Sequence, residues 1–178
     1  MSAIVFTTTC DQMRRAAELV QRERRGPLFI MNVPATWQTP VAEQMYVDEL
    51  RRFSRFLLDL GGHKPELEVC CGARLVPLAA CLPVTSSTVR LAVAGGPLAA
   101  DSPFHRQIEQ AGATIVLDAT DSGERMQPGT IDRERWIRDP LAELARAYLA
   151  MPSIHQRPNH RLFAWLKREI EQRSVQGL

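Results

Sequence analysis

Four runs of about six apolar, partly β-branched residues punctuate this chain, each leading through a turn into sequence of helical period. Ala3–Thr8 (AIVFTT) reads as a buried strand followed by a helix over Gln12–Arg24, where Met13, Ala16, Ala17 and Val20 recur at i, i+3, i+4 and i+7. Gly26-Pro27 ends that helix and opens a second strand, Leu28–Val33 (LFIMNV). Thr39 can cap a long helix with Pro40 at its first position and Gly61-Gly62 at its end, with Val41, Met45, Leu50, Phe53, Leu57 and Leu60 holding the period. The pattern restarts at Val89–Ala94 (VRLAVA), turns at Gly95-Gly96-Pro97 and continues into a helix capped by Ser102-Pro103 and ended by Gly112. Ala113–Asp118 (ATIVLD) is the fourth strand. Asp139-Pro140 opens a helix with Leu141, Leu144, Ala145 and Tyr148 inward, and Asn159 opens the last, with Leu162, Phe163, Leu166 and Ile170 inward. Strands alternating with helices argue for an α/β fold: parallel sheets with helices on both faces. Two α/β halves are expected, residues 1–62 and 89–178. They are joined by a connector, 63–88, holding Pro65, Pro77, Pro83, a TSST run and one short helix around Ala73–Leu82. The chain stops at Val175–Leu178, where a further strand would begin, an ending that reads as cut off.

Composition narrows the function. With 178 residues, 45% hydrophobic and 24% charged, the chain can bury a core of ordinary size, which excludes disorder, collagen and coiled coil as whole-chain readings. A net charge of +2, with no basic block beyond Arg22–Arg25, gives no case for nucleic acid. No apolar run reaches the roughly 18 residues of a membrane span. The apolar stretch Ala3–Phe6 is too short for a secretory leader. A soluble cytoplasmic protein is expected. Of the four cysteines, Cys70, Cys71 and Cys81 fall in the connector without C-x-x-C spacing, and read as small buried hydrophobes.

Ligands of open parallel sheets bind at the carboxyl ends of strands, near helix N-termini. Cys10 lies there, between the first strand and its helix, where backbone N–H groups favour a thiolate that binds metal or attacks electrophiles; a structural thiol in a βα turn is the alternative. Trp37, after the second strand, can cover a planar ligand or pack its own helix. Gly95 and Gly96 permit close backbone approach to an anion, although a tight turn needs glycine in any case, and neither the dinucleotide nor the P-loop spacing is present. Arg125, beyond the fourth strand, suits a phosphate or stands as a solvated loop arginine. The four histidines form no ligand pair, no nucleophile elbow occurs, and no catalytic residue is assigned.

At these same positions the sequence resembles the iron–sulfur subunits of the 2-hydroxyacyl-CoA dehydratase and benzoyl-CoA reductase family. The matching stretches are TTTCDQMRRAAEL (Thr7–Leu19), NVPATW (Asn32–Trp37), YVDELRRFSRFLLDLGG (Tyr46–Gly62), GGPLAADSPFHRQIEQAGATIVLD (Gly95–Asp118), G-x-R (Gly123–Arg125), DPLAELARAYLAMP (Asp139–Pro152) and the closing PNHRLFAWLKREIEQRSVQGL. The resemblance implies two flavodoxin-like half-domains and a [4Fe–4S] cluster held by three cysteines, of which Cys10 matches one. It also implies an acyl-CoA substrate, a homologous second subunit and a separate ATP-driven activator. The chemistry implied is radical reduction or dehydration of an acyl-CoA, with Trp37, Gly95, Gly96 and Arg125 at the substrate mouth. The chain departs from the pattern. Asp121 and Ser153-Ile154 stand where many members have cysteine or C-P, and the other two cluster cysteines of the family fall outside residues 1–178. The reading is therefore a fragment or a shortened member. Its rivals are a cluster-free α/β module that binds acyl-CoA or a partner subunit, and a flavodoxin-like nucleotide binder.

Overall fold

The computed structural model describes residues 2–23, 26–63, 88–99 and 101–178. Cys70, Cys71, Cys81 and the helix expected around Ala73–Leu82 lie outside the described residues, as does nearly all of the connector. The described elements are mixed α/β. They run β1 (Ile4–Thr7), α1 (Asp11–Arg22), β2 (Leu28–Met31), α2 (Pro40–Asp59), β3 (Val89–Gly95), α3 (Pro103–Gln110), β4 (Ala113–Thr120), a 3₁₀ turn (Glu124–Met126), α4 (Arg133–Arg138), α5 (Pro140–Leu149) and α6 (His160–Gln172). No helix among the described residues is long and apolar enough to cross a membrane.

The chain forms two compact units. The first comprises Met1–Ala73, Pro128–Ala150 and His155–Pro158; the second Arg74–Gln127, Met151–Ile154 and Asn159–Leu178. In the first, β1 and β2 pair in parallel from Ile4↔Leu28 to Thr7↔Met31, as a βαβ crossover through α1 requires. Phe29 of β2 lies buried between Phe53 and Phe56 of α2, with ring centroids 5.0 and 5.1 Å away. The core joins Tyr46, Val47 and Leu50 of α2 to Ala145 and Leu149 of α5, with Trp37 packed against them. That packing brings Pro128–Ala150 into the first unit.

The buried stripe of α2 runs through Ala42, Tyr46, Val47, Glu49 and Leu50, while Val41 and Met45 are exposed. Two inward expectations are corrected. Tyr148 is 38% exposed, because α5 turns Ala145, Ala147 and Leu149 to the core. Phe163 is 61% exposed, because Leu162, its neighbour, is the residue of that α6 turn facing inward. Where two adjacent residues are apolar, periodicity admits either face, and packing chooses.

In the second unit β3 and β4 pair in parallel from Val89↔Ala113 to Gly95↔Thr120, with a register shift between Leu91 and Ala92. Its core is Ala92, Leu117 and Ala119 under Trp165, Leu166, Ile170 and Val175. On the other edge of β3, Gln176 N donates to Arg90 O (2.7 Å) and Ala92 N to Gly177 O (2.9 Å), so the segment after α6 lies parallel to β3. Helix caps follow the sequence signals. Thr39, Ser102 and Asp139 accept from Ala42, Phe104 and Ala142 N, each with proline next in the chain.

Candidate functional site

Parallel pairing puts the carboxyl ends of β3 and β4 side by side, and the chain leaves both through turns that sequence marks with glycine. At Gly95 (φ +144°) only a residue without Cβ sits comfortably, and a Cβ built there or at Gly96 would meet nothing within 4 Å. The rim of the sheet is thus open at this point. Across from it, Asp121 N donates to Gly95 O (3.1 Å), and Ser122 Oγ both accepts from Leu98 N (2.8 Å) and donates to Leu98 O (2.7 Å), closing the two loops on one another.

Below this rim is a cavity of about 400 Å³. Ala94, Ala119, Ile154, Leu162 and Leu166 make its apolar wall, and Gly95, Gly96, Asp121 and Arg125 complete its lining. Its volume is in the range of small-molecule sites, roughly 300–1,000 Å³, which pair apolar walls with a few placed polar groups. Arg125 is carried by the 3₁₀ turn and is only 3% exposed. Its Nε donates to Ala119 O (2.7 Å), one Nη2 hydrogen bond goes to the Asp121 carboxylate and a long one (3.5 Å) to Gly95 O. Its Nη1 is buried with no hydrogen-bond partner. A buried donor left unmet costs about 1–3 kcal/mol.

The structure therefore brings three of the expected site residues, Gly95, Gly96 and Arg125, to one cavity in the second unit. The other two lie in the first. Cys10 is the half-buried N-cap of α1, its backbone extended and its thiol making no cap hydrogen bond. Trp37 packs on the first core and donates from Nε1 to Pro158 O (3.1 Å). Asp121 was not among the site residues that sequence suggested. The signal was present as an acidic and a basic residue at i and i+4, the spacing that lets Asp121 reach Arg125.

A [4Fe–4S] cluster takes about three or four thiolates. Among the described residues Cys10 is the one cysteine, and no group of three or more His, Cys, Asp or Glu side chains is placed to hold a metal ion. The described residues do not fit a cluster.

A family model described as 2-hydroxyglutaryl-CoA dehydratase, D-component, matches residues 1–69 and 77–178 of the chain. No curated protein matches it.

Proposed function

This chain belongs to the 2-hydroxyglutaryl-CoA dehydratase, D-component, family, and from that premise we propose that it is an acyl-CoA-binding subunit of a 2-hydroxyacyl-CoA dehydratase or benzoyl-CoA reductase system, a fragment or shortened member of the family. The acyl group is received in the cavity at the carboxyl ends of β3 and β4. The observation that carries this reading is the buried, half-satisfied Arg125 beside an apolar cavity under an open glycine rim. An acyl thioester offers what that cavity asks for, a carbon chain for the apolar wall and a polar head for the rim that Arg125 and Asp121 line.

In such a system a homologous second subunit is the partner, a separate ATP-dependent activator supplies low-potential electrons, and a [4Fe–4S] cluster, when bound, would supply the radical chemistry. No step is assigned to a cluster here, because the described residues do not make its site. What this chain contributes is binding: Gly95 and Gly96 leave room for the thioester arm to pass, and Arg125 orients the group below them. Cys10 is the residue proposed as a metal ligand, with partners beyond the described set. A second reading is a cluster-free module that binds acyl-CoA or a partner subunit.

Calorimetric titration of the full chain with butyryl-CoA and with free CoA tests the binding step. The thioester is expected to bind and Gly96→Val to abolish that binding while leaving the melting temperature unchanged, because the new side chain enters open space. Equal affinity for butyryl-CoA and CoA would remove the acyl cavity from the proposal. Anaerobic reconstitution with iron and sulfide separates the two readings. Absorbance near 400 nm and about four irons per chain, lost in Cys10→Ser, support the cluster-bearing subunit; a colourless chain that still binds butyryl-CoA supports the module.

A further inference from the structure

Arg125 does not face the cavity as a bare cation. Asp121 is already paired to its Nη2, so the guanidinium charge is met before any ligand arrives, while Nη1 still needs an acceptor. Among the described residues the rest of the lining is glycine, alanine, isoleucine and leucine, with no second cation.

We infer that this cavity selects an acyl group that is neutral and aliphatic, and that Asp121 is the residue that rejects a carboxylate-terminated chain. The inference rests on reading the cavity as an acyl-CoA site. A carboxylate brought beside Arg125 would share one guanidinium with the Asp121 carboxylate. The repulsion between the two anions cancels part of the attraction that the cation alone would exert. Against what remains stands the loss of water from the incoming anion, which the apolar wall does nothing to offset. A neutral acyl group carries no such penalty, and its carbon chain gains from Leu162, Leu166 and Ile154. Arg125 alone would therefore have favoured an acid, and the pair Asp121–Arg125 favours a hydrocarbon.

The test is calorimetry on the full chain with two probes that differ in their tail, butyryl-CoA and glutaryl-CoA. The wild type is expected to bind butyryl-CoA roughly tenfold or more tighter. Asp121→Asn keeps an oxygen on Nη2 and removes the negative charge, so glutaryl-CoA is expected to gain roughly tenfold on that variant and butyryl-CoA to change little. This is a gain of binding, which a misfolded variant cannot give. A wild type that binds glutaryl-CoA as tightly as butyryl-CoA, or an Asp121→Asn variant with no gain, overturns the inference and leaves the acyl-CoA reading standing. A wild type that binds neither thioester overturns both.

Discussion

Glu49 is 8% exposed, and its charge is held there by what touches it. Oε1 accepts from Asn32 N (2.6 Å) and Oε2 from Arg52 Nε (3.0 Å), while the Arg52 guanidinium sits 4.1 Å over the Phe29 ring and also donates to Ile30 O. Burial is the largest single influence on the carboxyl and pushes its pKa up, but the bonds from Arg52 and Asn32 together outweigh it and leave the pKa below its ordinary 4.5. A depressed carboxyl contributes stability that is present above 4.5 and is lost as pH falls through its folded value. Glu49→Gln is expected to lower stability by about 1–3 kcal/mol at neutral pH, with the difference from wild type shrinking in acid; urea titrations at two pH values measure it. A difference that persists undiminished in acid would assign the loss to packing. Tyr46 behaves oppositely. Burial, then the nearby Tyr148, pushes its phenol from 10.0 up to about 12. Its contribution is intact below pH 10 and is lost as pH rises towards 12, so ultraviolet titration should show one tyrosine ionising late and the fold weakening over that interval.

At the scale of elements the chain is plain where local chemistry decides and opaque where packing does. The four strands among the described residues lie within or close to the runs read from sequence, because β-branched residues between glycine and proline leave few other conformations. Helix starts were equally legible, since Thr39, Ser102 and Asp139 each combine an oxygen acceptor with a following proline. The inward face of α5 was legible for Leu141, Leu144 and Ala145, which pack in the core, but not for Tyr148, because the α2 contact selects Leu149 instead. Nor does any local signal announce that Pro128–Ala150 folds back on α2; that contact is non-local. The cap argument makes its own prediction. Asp139 Oδ1 accepts from Ala142 N at 3.0 Å, and Asp139→Ala should cost about 1 kcal/mol, while Asp139→Ser retains most of the stability. Chemical denaturation of the two variants decides it, and equal losses would show that the cap bond contributes nothing.

At the scale of the whole molecule, legibility of the site divides along the same line. Position at a strand end suggested Gly95, Gly96 and Arg125, and topology brings them together. Their chemistry was hidden, because the burial of Arg125 and its pairing with Asp121 depend on the 3₁₀ turn, three residues long, that no periodicity reports. That turn is itself held by Arg173 at the end of α6. Its guanidinium donates to both Glu124 oxygens (2.8 and 2.7 Å), to Glu169 (3.0 Å) and to Val116 O (2.8 Å), tying α6, the turn and β4 together within the second unit. The Glu124 bond above all, with Glu169 behind it, pushes the guanidinium pKa further up, so no accessible pH discharges it. Arg173→Met would strip two carboxylates, whose side chains are 12% and 13% exposed, of the cation they share, leaving Glu169 with Arg168 alone. Breaking a buried pair in this way costs about 3–5 kcal/mol. The two units carry separate cores, Tyr46–Leu50 with Ala145–Leu149 in one and Ala92–Ala119 in the other. The loss should therefore appear by hydrogen exchange as faster opening of β3 and β4, with β1 and β2 keeping their protection. Equal acceleration across all four strands would mean that the two cores open as one cooperative unit.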